Sequence, residues 1–132
     1  MSGSDDPGQT LSTLAGSVTL LPEGIVVLRS GPVDHSLEIA ADGIAAIRKL
    51  AGGRPRPTLA DARQIGRMTR EARVHYAEST SELIRAMAVL VSSPFSRLVG
   101  SFFIRLGRPE VPVRLFTSEP EAMAWLSTFV EP

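Results

Sequence analysis

The residues best suited to chemistry lie in the stretch TLADARQIGRMTREAR, residues 58–73, where four arginines follow an apolar strand. Guanidinium groups bind carboxylates and phosphates through paired hydrogen bonds. The free N–H groups at a helix start also favour negative charge. This combination favours a site for an anion or for a protein partner. The residues predicted to form the site are Asp61, Arg63, Gly66, Arg67, Thr69, Arg70 and Arg73.

A second interpretation of the same arginines is structural. They can pair with carboxylates such as Asp61, Glu71 or Glu78, or extend into water, which costs little at a surface. Neither a G-x-x-x-x-G-K-[ST] motif nor a G-x-G-x-x-G motif for phosphate binding occurs in the chain. Both interpretations of the arginines therefore stay open at the level of the sequence.

A second candidate site consists of apolar side chains between the predicted sheet and a helix predicted at 94–106. Phe95, Phe102 and Phe103 recur at helical spacing, and Met87 lies on the strand before them. These side chains can line a pocket for a lipid or another amphiphilic small molecule. Phenylalanine and methionine at this spacing are also typical of an ordinary core.

Most catalytic chemistries lack their residues in this chain. There is no cysteine, so thiol nucleophiles, disulfides and cysteine-bound metals are excluded. His35 and His75 leave little for a zinc site, and neither accompanies a recognisable nucleophile turn. Asp61 stands nearly alone among carboxylates at the strand ends, so the sequence does not indicate an acid–base pair. We therefore predict no metal, no cofactor and no enzymatic activity.

Charge and hydropathy narrow the range of partners. The 132 residues include 14 basic and 14 acidic side chains, for a net charge of zero. No global field would then hold the protein on nucleic acid or on an anionic membrane. No apolar run reaches the roughly 18 residues that a membrane span needs, and the amino terminus has no signal-peptide pattern. These features predict a cytoplasmic protein without a nucleic-acid partner and without integral membrane association.

The elements that position the candidate residues follow from hydrophobic periodicity and turn signals. Residues 1–16 are rich in polar residues and glycine and are predicted to be a disordered lead-in, followed by a single domain over 17–132. The predicted order is β-β-α-β-α-β-α-β-α, an α/β fold with a mostly parallel five-stranded sheet, an amino-terminal antiparallel hairpin strand and four helices. The predicted strands cover 17–21, 24–30, 58–62, 84–92 and 111–117. The predicted helices lie within 34–53, at 70–79, at 94–106 and after Ser118.

Short polar signals place the helix ends and the site. Asp34 or Ser36 can cap the first helix, Thr69 the second, and Ser118 the last. Ligands of open parallel sheets bind beyond the carboxyl ends of the strands. The loop 62–69 reaches that edge, so the arginine-rich stretch belongs to the position where a site is expected.

The element order, together with DARQIGRMTREAR, AVLVSSPFSRLVGSFF and PVRLFTSEPEAMAWL, resembles the STAS domain, the fold of bacterial anti-sigma-factor antagonists, over residues 17 to 131. Within that superfamily the chain is similar to small uncharacterised bacterial proteins of the STAS/SEC14 type. In the antagonists, a serine in an Asp-Ser-Ser-Gly-like turn after the central strand is phosphorylated and switches partner binding. In this chain the matching turn runs from Asp61 to Thr69, and Thr69 is its only hydroxyl.

The resemblance and the arginines together predict a regulatory or protein-interaction module without enzymatic activity. Its unknown protein partner would bind at the strand-to-helix segment 61–73. The alternative is a carrier or sensor of a lipid or amphiphilic small molecule, held between the sheet and the helix at 94–106. Self-association into a homodimer is a third, minor prediction.

Overall fold

The computed structural model describes residues 8–92 and 111–131. Within these ranges the chain forms six strands and three helices. The strands are β1 (Gln9–Ser12), β2 (Gly16–Leu20), β3 (Val26–Ser30), β4 (Arg56–Asp61), β5 (Ile84–Leu90) and β6 (Val113–Phe116). The helices are α1 (Leu37–Ala51), α2 (Arg70–Leu83) and α3 (Glu119–Ser127).

All six strands form one sheet, and their order across the sheet is their order along the chain. The pairs β1–β2 and β2–β3 are antiparallel, whereas β3, β4, β5 and β6 pair in parallel. In this register Arg29 lies opposite Asp61, Asp61 opposite Leu90, and Leu90 opposite Phe116. The carboxyl ends of the four parallel strands therefore meet in one row, at the edge where ligands bind in open α/β sheets.

Helices cover both faces of the sheet. The side chains of α1 and α2 pack on one face, around buried residues such as Val89. The side chains of α3 pack on the other face, around buried residues such as Leu126. Successive side chains of a strand point to opposite faces. Arg29 and Asp61 accordingly lie on the α3 face, and Ser30 lies on the face covered by α1 and α2.

Short polar signals set the helix ends as predicted. Ser36 caps α1 by accepting a hydrogen bond from the backbone N–H of Ile39 (3.3 Å), and Gly52 ends the helix in the left-handed conformation (φ 72°). Ser118 caps α3 by accepting a hydrogen bond from the backbone N–H of Glu121 (3.3 Å). Each cap satisfies an N–H group that the helix itself leaves without a partner.

The sheet has one strand more than the five predicted. Gln9–Ser12 pairs with β2, so the prediction of a disordered lead-in over 1–16 is wrong for this segment. The strand escapes prediction because it lies at the sheet edge with mostly exposed side chains, and only Leu11 packs against the core. The helix predicted at 94–106 and residues 1–7 lie outside the described residues. The single domain over 17–132 stays a prediction.

Other differences concern element ends. The helix predicted at 70–79 continues to Leu83, and β4 already begins at Arg56, two residues before the strand predicted at 58–62. None of the helices in residues 8–92 and 111–131 is long and apolar enough to cross a bilayer.

Candidate functional site

Residues 61–73, which we call the corner, form a loop and a helix start at the carboxyl edge of β4. Backbone hydrogen bonds tie this loop to the segment before α1. They join Gly66 N–H to Val33 O (2.9 Å), His35 N–H to Arg67 O (2.7 Å) and Thr69 N–H to His35 O (3.0 Å). The Asp34 carboxylate also accepts a bond from the Arg67 N–H (2.8 Å). The backbone of the corner is therefore held in place on its own side of the sheet.

Gly66 allows this close approach. A Cβ atom at position 66 would stand 2.3 Å from Oδ1 of Asp34 and 3.1 Å from the carbonyl oxygen of Val33. The first distance is far below any normal contact, so a larger residue would push the two segments apart. The sequence prediction placed Gly66 in the site as a turn residue, and the structure adds this steric reason.

Thr69 caps α2 as predicted. Its hydroxyl accepts a hydrogen bond from the backbone N–H of Ala72 at 3.1 Å, and its side chain lies at the surface. The cap fixes the direction in which the first turn of α2 leaves the corner. Arg70 and Arg73 are therefore presented from a defined helix start.

Asp61 is the centre of a charge network on the α3 face of the sheet edge. Arg63 holds it with two side-chain hydrogen bonds, Nε to Oδ1 (2.9 Å) and an Nη to Oδ2 (2.8 Å). Arg29 donates to the same Oδ2 at 2.9 Å and pairs with both carboxylate oxygens of Glu119 at 3.0 and 2.8 Å. The network thus connects the end of β3, the loop after β4 and the first turn of α3. All three are joined through Asp61, at the end of β4, and through its partner Arg29.

The network sets the protonation of its carboxylates. Burial alone would raise the pKa of Asp61, whose side chain is only 10% exposed, but the hydrogen bonds from Arg63 and Arg29 outweigh burial and hold the pKa below its ordinary value. The hydrogen bond from Arg29 likewise lowers the pKa of Glu119. Both groups are therefore carboxylates at neutral pH, and Asp61 is poorly placed to act as a general base because its charge is already bound by two guanidinium groups.

The four arginines of the corner divide into two kinds. Arg63 is committed to Asp61, and the Arg73 guanidinium donates to the carbonyl oxygen of Met68 (3.2 Å). The side chains of Arg67 and Arg70 are exposed, and no carboxylate among residues 8–92 and 111–131 forms an ion pair with either. Arg63 is therefore paired as the structural interpretation expects, whereas the exposed side chains of Arg67 and Arg70 fit both interpretations.

Sequence reasoning missed two members of the charge network. Arg29 was counted only as part of a hairpin strand, and Glu119 only as part of a helix start. The expectation that Asp61 stands nearly alone is wrong, because Glu119 shares Arg29 with it. The sequence does contain a signal for this pair. Arg29 is a charged residue near the end of an otherwise apolar strand, and Glu119 is an acidic residue that opens the last helix. Both positions belong to the sheet edge where ligands bind.

A second polar group lies on the other face of the same edge. His35 is 4% exposed, and its ring nitrogens are 2.9 Å from Oγ of Ser30 and 2.7 Å from the hydroxyl of Tyr76. The Ser30 hydroxyl donates its hydrogen to the Gly31 carbonyl (2.9 Å), so its oxygen must accept from Nε2–H of His35. The other ring nitrogen of His35, Nδ1, then carries no hydrogen and accepts from the Tyr76 hydroxyl. We assign the neutral Nε2–H tautomer on this basis. Sequence spacing does not predict this contact of His35 with Tyr76 on α2.

Burial disfavours the charged forms of His35 and Tyr76. It lowers the pKa of His35, against a smaller opposing effect of Asp34, and it raises the pKa of Tyr76. His35 is therefore neutral near pH 7, which agrees with its role as both a donor and an acceptor.

Acidification is expected to destabilise the protein through His35. Below the ordinary pKa of about 6.5 the unfolded chain binds a proton that the folded state resists, so the free energy of unfolding falls with pH by at most about 1.4 kcal/mol per pH unit. This stability is fully present above that pKa and is lost as the pH falls toward the lowered folded value. Urea unfolding of the wild type at about pH 7.5 and at about pH 5 should show this fall in the free energy of unfolding. His35→Gln should flatten the slope, and the control His75→Gln should keep it; equal slopes in all three proteins would refute the assignment.

Of the second candidate site, the described residues include only Met87, and the site stays a prediction. The Met87 side chain is buried in the hydrophobic cluster on the sheet face that α1 and α2 cover. Phe95, Phe102 and Phe103 lie outside the described residues. In the part of the chain that the structure describes, no group of three or more histidine, aspartate or glutamate side chains is arranged to hold a metal ion.

Comparison with protein families decides the classification. Residues 19–130 match a family described as Domain of unknown function (DUF7793). The chain belongs to the DUF7793 family. The match begins within β2 and ends after α3, so this DUF7793 domain includes both polar groups of the sheet edge. No curated protein matches the chain.

Two solved structures are similar to this DUF7793 domain. One is an uncharacterised protein of the DUF3478 family with a SpoIIAA-like fold from Shewanella loihica PV-4, with a TM-score of 0.57 and 11% identity, over 90% of this chain and 91% of that chain. The chain therefore has a SpoIIAA-like fold, as the predicted STAS resemblance required. The other is a protein of unknown function from Arthrobacter sp. FB24, with 26% identity and a TM-score of 0.34, over 89% of this chain and 97% of that chain.

Proposed function

We propose that this DUF7793 domain is a regulatory interaction module without enzymatic activity, which binds a protein partner at the corner. The observation that supports the proposal best is that Arg67 and Arg70 are exposed, without ion pairs to the described residues, on a backbone held by four hydrogen bonds to residues 33–35. Because the backbone of the corner is already fixed, binding orders the arginine side chains but not the loop, so more of the interaction energy contributes to affinity.

The charge network supports recognition over catalysis. The Asp61 carboxylate, at the start of the corner, is bound by Arg29 and Arg63 and has a lowered pKa. In this proposal, Asp61 holds the start of the corner in place. The partner surface expected from Arg67 and Arg70 is acidic, because exposed arginines pair with carboxylates at interfaces and attract them from a distance.

Reversing the two exposed charges is expected to abolish partner binding. A tagged Arg67→Glu/Arg70→Glu variant should recover the partner from a lysate of the source organism at a level at least about 10-fold below the wild type, since a single interface arginine often contributes more than about 1.4 kcal/mol. Quantitative mass spectrometry of the eluates measures the change. Neither side chain forms an ion pair with a residue of 8–92 or 111–131, so the fold should remain intact.

The control is Arg48→Glu/Lys49→Glu, which changes the net charge by the same amount; it also removes the exposed ion pair between Arg48 and Glu82, which contributes at most about 1 kcal/mol. These residues lie in the last turn of α1, about 18 Å along the helix from its first residue at a rise of about 1.5 Å per residue. A protein recovered by the wild type and by the control, but not by the corner variant, supports the proposal. Equal recovery of every protein by all three would refute it.

The other functional predictions gain no support from the described residues. Met87 is core, and the remaining predicted lining residues of a lipid carrier lie at 95–103, outside the described ranges. Self-association and a cytoplasmic location stay predictions of the sequence.

A further inference from the structure

A small cavity lies between the carboxyl halves of β3 and β4 and the helices α1 and α2. Its volume is about 30 Å³, room for about two water molecules. The walls are mainly apolar, and the polar chain of Ser30, His35 and Tyr76 lies at one end. The apolar lining residues used in the argument are Leu28, Ile39, Ala60, Ile65 and Met68.

Gly43 keeps this cavity open. It is buried in the middle of α1, where glycine is the least favourable ordinary residue because it loses the most backbone freedom. Its φ is not in the left-handed region, so the backbone does not require glycine. A Cβ at position 43 would meet no atom of the described residues within 4 Å. An alanine would therefore fit without strain and would improve the helix, yet it would narrow the cavity that Gly43 lines.

We propose that this cavity is a binding site for a small neutral molecule with a short apolar body and one hydroxyl group. The apolar walls would hold the body. The Ser30 oxygen has two lone pairs, of which Nε2–H of His35 takes one, so the other can accept a hydrogen bond from the ligand hydroxyl.

A charged ligand is disfavoured on two grounds. His35 is neutral near pH 7 and offers no compensating charge. The charged groups at the cavity wall, Arg29 and Asp61, are already paired with each other and with Glu119 and Arg63. An ion in the cavity would lose its hydration without a free counter-charge.

Short alcohols test the site directly. In a titration of the full chain with methanol and ethanol, backbone amide shifts of residues 28–30, 39–43 and 65–68 are expected to change and to saturate. The dissociation constant should fall from methanol to ethanol as one more methylene is buried. The larger alcohols 1-propanol and 1-butanol exceed the cavity volume of about 30 Å³ and should give no saturable shifts. Shifts that are linear in alcohol concentration, or equal across the surface, would mean that the cavity holds water only and would overturn the proposal.

Gly43→Ala should abolish the saturable response while raising the melting temperature by about 3–6 °C. The double variant Gly43→Ala/Ala45→Gly places the unfavourable glycine at an exposed position of α1 instead. It should melt near the wild-type temperature and should still show no saturable binding. Retained binding in either variant would refute the role of Gly43, and a lowered melting temperature in Gly43→Ala would show that the space is not free. The test is independent of the corner, because neither substitution changes Arg67 or Arg70.

Discussion

Asp61→Ala is expected to destabilise the domain by about 2–3 kcal/mol. Removing one partner from a fully buried ion pair costs about 3–5 kcal/mol, because the remaining charge is left without compensation. The guanidinium groups of Arg29 and Arg63 are 41% and 42% exposed, so water compensates them partly and the cost is smaller. Urea unfolding at neutral pH measures the loss.

A comparison with Glu119→Gln gives the control for this prediction. Glu119 shares only Arg29 at short distance and is 35% exposed, so its substitution should cost less than about 1 kcal/mol. The folded pKa of Asp61 is lowered, so its contribution is present above the ordinary pKa of about 4 and is lost as the pH falls below it. The difference between wild type and Asp61→Ala should therefore shrink on acidification. An equal loss for the two variants at neutral pH would contradict the central position of Asp61.

Gly66→Ala is the second substitution with a large expected effect. The new methyl group would stand 2.3 Å from Oδ1 of Asp34, so the carboxylate must move and release the backbone N–H of Arg67. The hydrogen bond from Gly66 N–H to Val33 O would also lengthen. We expect a loss of about 2–3 kcal/mol, the sum of overpacking and of weakened hydrogen bonds.

Gly31→Ala is the matched control for Gly66→Ala. A Cβ at position 31 would meet only the Ala15 carbonyl oxygen at an ordinary 3.5 Å, and its φ is not left-handed. Its stability should stay within about 0.5 kcal/mol of the wild type. If Gly66→Ala proves as stable as Gly31→Ala, the corner can relax, and its fixed backbone would no longer support recognition by Arg67 and Arg70. Amide hydrogen exchange at 66–69 would detect that relaxation.

Local signals in the sequence were sufficient for most of the fold. Ser36 and Gly52 mark the ends of α1 because caps depend on one or two residues. The apolar run of β5 predicts a strand that is covered on both faces, and the structure buries nearly all of it. β1 was missed because an edge strand needs apolar residues on one face at most, and QTLS has only Leu11.

The candidate site could be placed from the sequence, but its contacts could not. Asp61 and Thr69 were found because a strand end and a helix cap are local features. The partners Arg29 and Glu119 lie 90 residues apart, and only the sheet register brings them to the same edge. Residue spacing in the sequence does not give the directions of side chains. It therefore cannot predict that Arg63 pairs with Asp61 while Arg67 and Arg70 are exposed.

The sequential strand order has a consequence for synthesis on the ribosome. Each strand pairs with the strand translated just before it, so the sheet can lengthen in step with the emerging chain and need not wait for distant segments. Arg29 and Asp61 can then meet once β4 has emerged, whereas Glu119 emerges only after β6. The bidentate contact between Arg29 and Glu119 would thus form only after the last strand of the sheet has been made, and a nascent chain stalled before residue 119 would have the corner without this contact.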